Sequence, residues 1–243
     1  MEGNYLLISD LDGTLLGDDD ALENFSQWHD ANRDVVRLVY NSGRFFDSVV
    51  DVVEQTALPE PDAVIGGVGT QIRQYPEGTR LLNGWPADAA RWERDVIAAE
   101  LRRYHQLEAQ PDEFQAEFKL SYYAHDLDRE FLDRLAAHLA AAGQQVQIIY
   151  SSARDLDVLP AGVDKGTAAT QLANHWNYEP WQVLVSGDTG NDEAMFAQGF
   201  RGIVVANAHN DLKKLVAPPI YHAQASFAAG VQEGVEFWLA AAT

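Results

Sequence analysis

Two aspartates, Asp10 and Asp12, directly follow the apolar run of residues 5–8, which is typical of a buried strand in a parallel sheet. Alternation along an extended chain would send both carboxylates to one side, at the carboxyl end of the strand where open α/β sheets bind ligands. Gly13 permits the chain to turn sharply as it leaves the strand. Two close carboxylates repel each other, so the pair needs either a shared proton or a bound cation, for which a hard metal such as Mg²⁺ is suited. One carboxylate would then attack an electrophile while the other transfers protons. The bland alternative is a turn with solvated aspartates.

A second strand-like run, residues 34–40, leads into the sequence Asn-Ser-Gly-Arg at residues 41–44, followed by a helical pattern from Phe45 to about Thr56. A hydroxyl group and backbone N–H groups at the start of a helix can hold a phosphate. Ser42 is therefore a candidate phosphate ligand, although it is also an ordinary turn residue. Arg44 is a candidate substrate contact or an exposed arginine.

Lys165 lies in the first turn of a helix predicted to run to about Trp176, where a cation is unfavourable unless an anion is close by. A further buried-strand pattern, residues 181–186, ends in the acidic, glycine-rich segment 187–192. Such a segment suits Mg²⁺ ligation and also turn formation. Asp192 is either a ligand or a helix N-cap.

These motifs occur in the order Asp-x-Asp, Ser, Lys, Asp…Asp, and with this order the chain resembles a haloacid dehalogenase (HAD) superfamily phosphatase. The insertion between Ser42 and Lys165 resembles the α/β cap of sucrose-phosphate phosphatases, with residues 119–122 and 150–160 as its most similar parts. The resemblance spans essentially the whole chain. It implies an α/β fold, with a Rossmann-like core built on a parallel sheet and a smaller α+β cap.

The resemblance also implies catalytic roles. Asp10 would be the nucleophile that forms an aspartyl-phosphate, and Asp12 would be the general acid and base. Ser42 would donate a hydrogen bond to a phosphoryl oxygen, and Lys165 would balance the charge of Asp10 and the phosphate.

The implied cofactor is Mg²⁺, bound directly by Asp188, while Asp192 would hold a metal-bound water or orient Lys165. Asp12 would reach the ion through its backbone carbonyl. The predicted metal site therefore comprises Asp10, Asp12, Asp188 and Asp192.

Substrate contacts are expected from the core loops, including the glycine-rich segment 66–70, and from cap strands that we expect to face the core. Paired donors and acceptors suit a hydroxyl-rich sugar. In the cap strands, solvent-facing polarity is the alternative explanation. The predicted substrate-binding residues are Ser42, Gly43, Arg44, Gly69, Thr70, Lys119, Tyr122, Ser152, Asp155, Asp157, Lys165 and Asn191.

Residues 1–82 and 160–243 are predicted to form one discontinuous catalytic core, and residues 83–159 the cap. Within the cap, the patterns predict helices around residues 88–104 and 127–142. Strands are predicted at residues 118–124, 146–150 and 155–159. Proline and glycine clusters mark both boundaries.

The 37 acidic and 17 basic residues give a net charge of −20, which argues against nucleic acid or an anionic membrane as a partner. The acidity favours solubility, including in a salty cytoplasm. The absence of cysteine excludes disulfides, thiolate catalysis and cysteine zinc sites. With neither a leader pattern nor a long apolar run, we expect a cytoplasmic monomer, and the resemblance adds association with a sugar-phosphate synthase.

The resemblance favours hydrolysis of sucrose 6-phosphate to sucrose and phosphate, with mannosylfructose phosphate as the nearest alternative substrate. A phosphohexomutase is a second alternative, but its cap would need basic residues for a second phosphate, and this cap is acid-rich. A non-catalytic sugar-phosphate sensor is a third. Such a sensor would not need a nucleophile beside an acid.

Overall fold

A computed structural model describes residues 5–86, 92–216 and 219–241. The chain divides into two compact units, one formed by Met1–Asn83 with Lys165–Thr243 and the other by Gly84–Asp164. The sequence placed the second boundary after Leu159, but the last strand of the inserted unit runs on through Pro160, which pairs with Val146. The structural boundary therefore lies further along the chain.

The strands of the described residues are numbered along the chain. They are β1 (Tyr5–Ser9), β2 (Val36–Asn41), β3 (Ala63–Gly66), β4 (Gln71–Gln74), β5 (Glu108–Ala109), β6 (Leu120–Tyr123), β7 (Val146–Ser151), β8 (Asp155–Pro160), β9 (Val183–Gly187), β10 (Arg201–Val204) and β11 (Ile220–His222).

The α-helices are numbered in the same way. They are α1 (Asp19–Asn32), α2 (Phe46–Gln55), α3 (Arg94–Leu101), α4 (Arg129–Ala141), α5 (Lys165–His175), α6 (Glu193–Phe196), α7 (Asn210–Lys213) and α8 (Phe227–Ala240). In the part of the chain that the structure describes, none of the helices is long and apolar enough to cross a membrane.

The first unit contains a seven-stranded sheet in the order β11-β10-β9-β1-β2-β3-β4. All neighbouring pairs are parallel except β3 and β4, which form an antiparallel edge. Every residue of β1 is buried between β2 and β9, and this position explains its continuous apolar sequence. The parallel arrangement brings the ends of β1, β2 and β9 to one edge of the sheet, as the motifs predicted.

The second unit contains a four-stranded antiparallel sheet in the order β5-β6-β8-β7. Leu120, Leu156 and Val158 of this sheet pack with apolar side chains of α3 and α4 in a separate hydrophobic core. Alternation then places Ser121 and Asp157, which are paired across β6 and β8, on the opposite face of the sheet.

Several predicted boundaries differ from the structure. The strand predicted from residue 181 begins at Val183, because Pro180–Gln182 forms a turn of 3₁₀-helix. The helix predicted over 88–104 is observed as Arg94–Leu101, and residues 88–91 lie outside the described residues. The short strands β4, β5, β10 and β11 were not predicted.

Candidate active site

The predicted site residues lie at the carboxyl edge of the first unit's sheet, where backbone hydrogen bonds connect the loops that follow neighbouring strands. The backbone N–H of Asp10 donates to the carbonyl of Ser186 at 3.0 Å, joining the ends of β1 and β9. The N–H of Ser42 donates to the carbonyl of Ile65 at 2.9 Å, joining the ends of β2 and β3. The side chains predicted to be catalytic therefore lie in segments that are anchored to adjacent strands.

Lys165 is a fully buried cation that links the two ends of the discontinuous unit. Its Nζ donates to Asp10 Oδ1 at 2.7 Å and to Asp192 Oδ1 at 2.6 Å. A third contact, of 3.2 Å, reaches Asn191 Oδ1. Burial acts to lower the pKa of Lys165, but the two carboxylates outweigh it and raise this pKa, so the ammonium stays charged. The anionic partner predicted from the unusual helix position of Lys165 is therefore present.

Asp10 is buried, with 5% of its surface exposed. Burial raises its pKa from 3.8 to about 8, and Asp192 and Asp188 contribute to the rise against the opposing charge of Lys165. The site therefore holds more negative charge than Lys165 alone can neutralise.

Asp188 approaches Asp10 from the loop after β9. Burial, followed by the charge of Asp192, raises its pKa from 3.8 to about 6. Gly13, at φ +83°, makes the approach possible, because a Cβ atom there would lie 2.4 Å from Asp188 Oδ2. The glycine predicted for a tight exit is also required by the packing of this carboxylate.

The carboxylates of Asp10, Asp188 and Asp192 form a group whose ligand oxygens all lie within 4.8 Å of one another. Oxygen donors with excess negative charge fit a hard divalent cation such as Mg²⁺. The carboxylate of Asp12 is not part of this group. Its predicted contact was the backbone carbonyl, and that contact remains a prediction.

Asp192 is engaged on both of its oxygens. Oδ2 accepts the backbone N–H groups of Asp188 and Thr189 at 3.0 and 3.1 Å, while Oδ1 accepts Lys165. Of the two roles predicted for Asp192, orienting Lys165 is the one that these contacts provide. The same carboxylate also shapes the turn that presents Asp188.

The carboxylates of Asp12 and Asp10 contact different basic side chains. The side chain of Asp12 is 52% exposed and receives two hydrogen bonds from Arg44, Nε to Oδ2 at 2.8 Å and Nη2 to Oδ1 at 2.7 Å. The difference arises because β1 ends at Ser9, so strict alternation does not extend to Asp12. Each carboxylate has its own cationic partner.

Ser42 is buried at the end of β2, and its Oγ accepts the backbone N–H of Arg44 at 3.1 Å. An accepting hydroxyl keeps its hydrogen available for an anion. The glycine-rich turn packs beside this loop, with Gly67 N–H donating to the Arg44 carbonyl and Val68 N–H to the Ser42 carbonyl.

Other predicted core contacts have structural partners. The Thr70 hydroxyl donates to the Gly67 carbonyl at 3.0 Å, within the turn that also contains Gly69 at φ +98°. Asn191 Oδ1 accepts Thr189 Oγ1 in addition to Lys165. Gly43 lies between Ser42 and Arg44 in the loop that was predicted to bind phosphate.

The second unit carries a buried polar network. Lys119 Nζ lies 2.6 Å from Ser121 Oγ and 2.9 Å from Asp157 Oδ1. Ser121 Oγ also lies 2.6 Å from Asp157 Oδ1, so the three side chains hold one another in place. Asp155, on the same face of β8, accepts Gln110 Nε2 at 3.0 Å.

Two predicted sugar contacts lie elsewhere. Tyr122 packs into the hydrophobic core of the second unit, because residues 121 and 122 point to opposite faces of β6. Ser152, at φ +54°, is exposed in the turn between β7 and β8. The proposal for a sugar contact from Tyr122 is therefore withdrawn, whereas Ser152 remains at the rim of the sheet.

Sequence reasoning assigned no role to three residues that support the site. Asn41 Nδ2 donates to the backbone carbonyl of Lys165 at 2.9 Å, and Thr14 Oγ1 lies 3.4 Å from Asp188 Oδ1. Ser121 bridges Lys119 and Asp157. All three are buried polar residues inside recognised motifs, and this combination is the signal that they have specific partners.

Comparison with known proteins bears out the family expectation. A model of the sucrose-6F-phosphate phosphohydrolase family matches residues 3–239. Mannosylfructose-phosphate phosphatase of Agrobacterium fabrum is 37% identical over 96% of both chains. A probable sucrose-phosphatase of Arabidopsis thaliana, 3a, is 32% identical over 95% of this chain but only 59% of its own length.

Solved structures give the same result. The sucrose-phosphatase of Synechocystis sp. PCC6803, determined with sucrose and phosphate, is similar with a TM-score of 0.89 and 34% identity, covering 97% of this chain and 98% of that one. Haloacid dehalogenase-like hydrolases with 16% and 17% identity share the fold alone. The predicted HAD fold is thereby confirmed.

Proposed function

Because the chain belongs to the sucrose-6F-phosphate phosphohydrolase family, we propose that it hydrolyses a sugar phosphate, with sucrose 6-phosphate as the main candidate. The observation that carries this proposal is the buried Asp10 carboxylate, held by Lys165 within a cluster of further carboxylates. A protein that only bound sugar phosphates would gain nothing from a buried anion directed at an anionic ligand. A phosphoryl-transfer enzyme needs one as its nucleophile.

In the first half-reaction, a carboxylate oxygen of Asp10 attacks phosphorus and the bond from phosphorus to the sugar oxygen breaks. Asp12 gives its proton to the departing sugar oxygen. The charge of Lys165 opposes the rise in the pKa of Asp10 and so favours its ionised, nucleophilic form. The Ser42 hydroxyl donates to a phosphoryl oxygen.

In the second half-reaction, Asp12, now ionised, removes a proton from water. The water oxygen attacks phosphorus, the bond to Asp10 breaks, and phosphate is released. Mg²⁺, held by Asp10 and Asp188, would supply Lewis-acid stabilisation of the phosphoryl charge.

The second unit is proposed to supply the sugar contacts, through the network of Lys119, Ser121 and Asp157. A buried ammonium next to a carboxylate offers a donor and an acceptor in fixed positions, which suits hydroxyl recognition. The predominance of acidic residues favours a substrate whose non-reacting end is neutral, and this disfavours a phosphohexomutase.

Mannosylfructose phosphate is the second candidate, and the similarity along the full length of the Agrobacterium enzyme supports it. Both candidates are phosphorylated disaccharides, so the core chemistry does not separate them. The sugar must be distinguished by contacts away from the reacting phosphate.

A phosphate-release screen tests the proposal. Purified protein with MgCl₂ is offered sucrose 6-phosphate, mannosylfructose phosphate, trehalose 6-phosphate and hexose phosphates, with Asp10→Asn as the matched inactive control. We expect one disaccharide phosphate to have a kcat/KM at least about 10-fold above the others. Conversion of a hexose phosphate to its isomer would identify a mutase, and absence of turnover with saturable sugar-phosphate binding would identify a sensor.

A further inference from the structure

Arg44 forms a two-point contact with the proposed acid and base. The fork of Nε and Nη2 meets both oxygens of Asp12, at 2.8 and 2.7 Å. Such bidentate pairs fix the orientation of the carboxylate plane as well as its distance. The backbone N–H of Arg44 also donates to Ser42 Oγ, so one residue connects the acid and base to the phosphate-binding loop.

The distribution of charge explains why this pairing matters. Lys165 is shared by Asp10 and Asp192, whereas Arg44 is the cation placed on Asp12. A half-exposed aspartate without such a contact would sample several rotamers. With it, the carboxylate is held in one orientation.

Stability does not account for the pair. The two side chains are 37% and 52% exposed, and ion pairs this accessible contribute about 0–1 kcal/mol to folding. The sequence suggested Arg44 as a substrate contact, yet its fork is already occupied by Asp12. A role in orienting Asp12 fits the contacts better.

We propose that Arg44 is a positioning residue that acts through Asp12, holding this carboxylate in place for proton transfer, and that it does not bind the substrate phosphate. The inference rests on the proposed function, because Asp12 matters only if phosphoryl transfer occurs. It adds that the Ser-Gly-Arg loop serves both phosphate binding and general acid–base catalysis.

A double-mutant cycle tests the inference. Misplacing a reacting group by about 1 Å can lower the reaction rate about 100-fold. Arg44→Gln should therefore lower kcat by about 10- to 100-fold. The KM and the inhibition constant of inorganic phosphate should stay within about twofold. In the Asp12→Ala background, Arg44→Gln should change the rate less than about twofold. Arg44→Lys should recover only part of the loss, because an ammonium cannot make the fork.

The matched control is Arg37→Gln, which removes another ion pair of the same unit, with Asp62 at 3.1 Å, and should keep full activity. If the rate losses of Arg44→Gln and Asp12→Ala multiply in the double variant, the two residues act independently and the proposal is overturned. A rise in KM and in the phosphate inhibition constant would likewise overturn it, in favour of direct substrate binding by Arg44.

The cycle uses p-nitrophenyl phosphate as well as the sugar phosphate, so failure to hydrolyse sugar phosphates is distinguishable from failure of the Arg44 inference. A measurement without turnover completes the design. In ¹³C-labelled protein, the carboxyl signal of Asp12, identified by its loss in Asp12→Ala, should shift in Arg44→Gln and remain in place in Arg37→Gln. An unchanged signal in Arg44→Gln would refute the contact on which the proposal depends.

Discussion

Replacing Asp10, the proposed nucleophile, should make the metal-free protein more stable while it abolishes turnover. Asp10→Asn keeps the shape of the side chain and an oxygen that can accept from Lys165, but it removes an ionisable carboxyl group from a buried position. Asp188 and Asp192 remain nearby. The variant therefore separates the catalytic use of the carboxylate from the energetic cost of burying it.

The pKa of Asp10 sets the size of the effect. Because burial raises it from 3.8 to about 8, the folded protein binds this proton more tightly than the unfolded chain does. The contribution of Asp10 to stability is fully present below pH 3.8 and is lost as the pH rises through about 8. At about 1.4 kcal/mol per pH unit, the loss by pH 7 is at most about 4 kcal/mol.

The variant recovers only part of this energy, since Lys165 loses one of its two anionic partners. We expect a net gain of about 1–3 kcal/mol at pH 7, which corresponds to about 2–10 °C in Tm for a chain of this size. The gain should shrink at pH 5, because this pH is only slightly above the ordinary pKa of 3.8 and the unfolded chain then gains little from ionising this carboxyl.

Differential scanning calorimetry in EDTA, at pH 5 and pH 7, measures these differences. Addition of MgCl₂ should stabilise the wild type more than Asp10→Asn, because ligand binding to the folded state adds stability in proportion to its affinity. Mass spectrometry must exclude deamidation of the new asparagine. A metal-free Tm at or below that of the wild type at pH 7 would refute the electrostatic reasoning.

Further expectations concern the metal, the loop, the cap unit and the core. Chelation by EDTA should abolish phosphate release and Mg²⁺ should restore it, with Zn²⁺ a poor substitute at an all-oxygen site; full activity in EDTA would contradict this. Gly187→Ala should lower kcat/KM about 100-fold or more in steady-state assays, because the added Cβ atom would lie 2.5 Å from Asp192 Cβ and displace that residue. Near-normal kinetics would show that the loop of residues 187–192 can shift to accommodate the methyl group without loss of activity. Lys119→Ala should slow hydrolysis of a disaccharide phosphate about 10-fold and spare p-nitrophenyl phosphate, whereas equal losses on both would place Lys119 in folding. Burial, followed by the charge of Arg33, lowers the pKa of His29 from its ordinary value of 6.5. The unfolded chain therefore binds this proton more readily, and the contribution of His29 to the free energy of unfolding is lost as the pH falls below 6.5. Urea titrations at pH 5 and 8 should show a smaller loss of stability at pH 5 for His29→Leu than for the wild type.

Local sequence was sufficient to find the residues at the strand ends. Asp10, Ser42 and Asp188 each follow a run of buried residues, and parallel strands bring such ends together without any knowledge of side-chain contacts. Lys165 was recognisable because a cation in the first turn of a helix needs an anion. In these cases one physical rule connects the local pattern to the site.

The contacts that individual side chains make could not be predicted in this way. Whether Arg44 contacts substrate or Asp12 depends on how two loops approach each other, and nothing within either loop specifies that approach. Tyr122 was assigned to the wrong face because polar and apolar residues alternate imperfectly along β6, where tyrosine is compatible with both environments. Strands β4, β5, β10 and β11 were missed because each has only two to four residues, too few for a periodic signal.

Each of the two motif aspartates is paired with a basic side chain; the pair of Lys165 with Asp10 was predicted, whereas the pair of Arg44 with Asp12 was not. The chain as a whole is strongly acidic, yet Lys165 and Arg44 are placed beside Asp10 and Asp12. The first cation is fully buried and cannot leave its carboxylates without a large desolvation penalty, whereas the second is part exposed and its pair contributes little to folding. The proposed nucleophile needs a protected environment, while the proposed acid and base must exchange protons with solvent and substrate. The difference in burial between the two ion pairs therefore matches the difference between the two proposed roles.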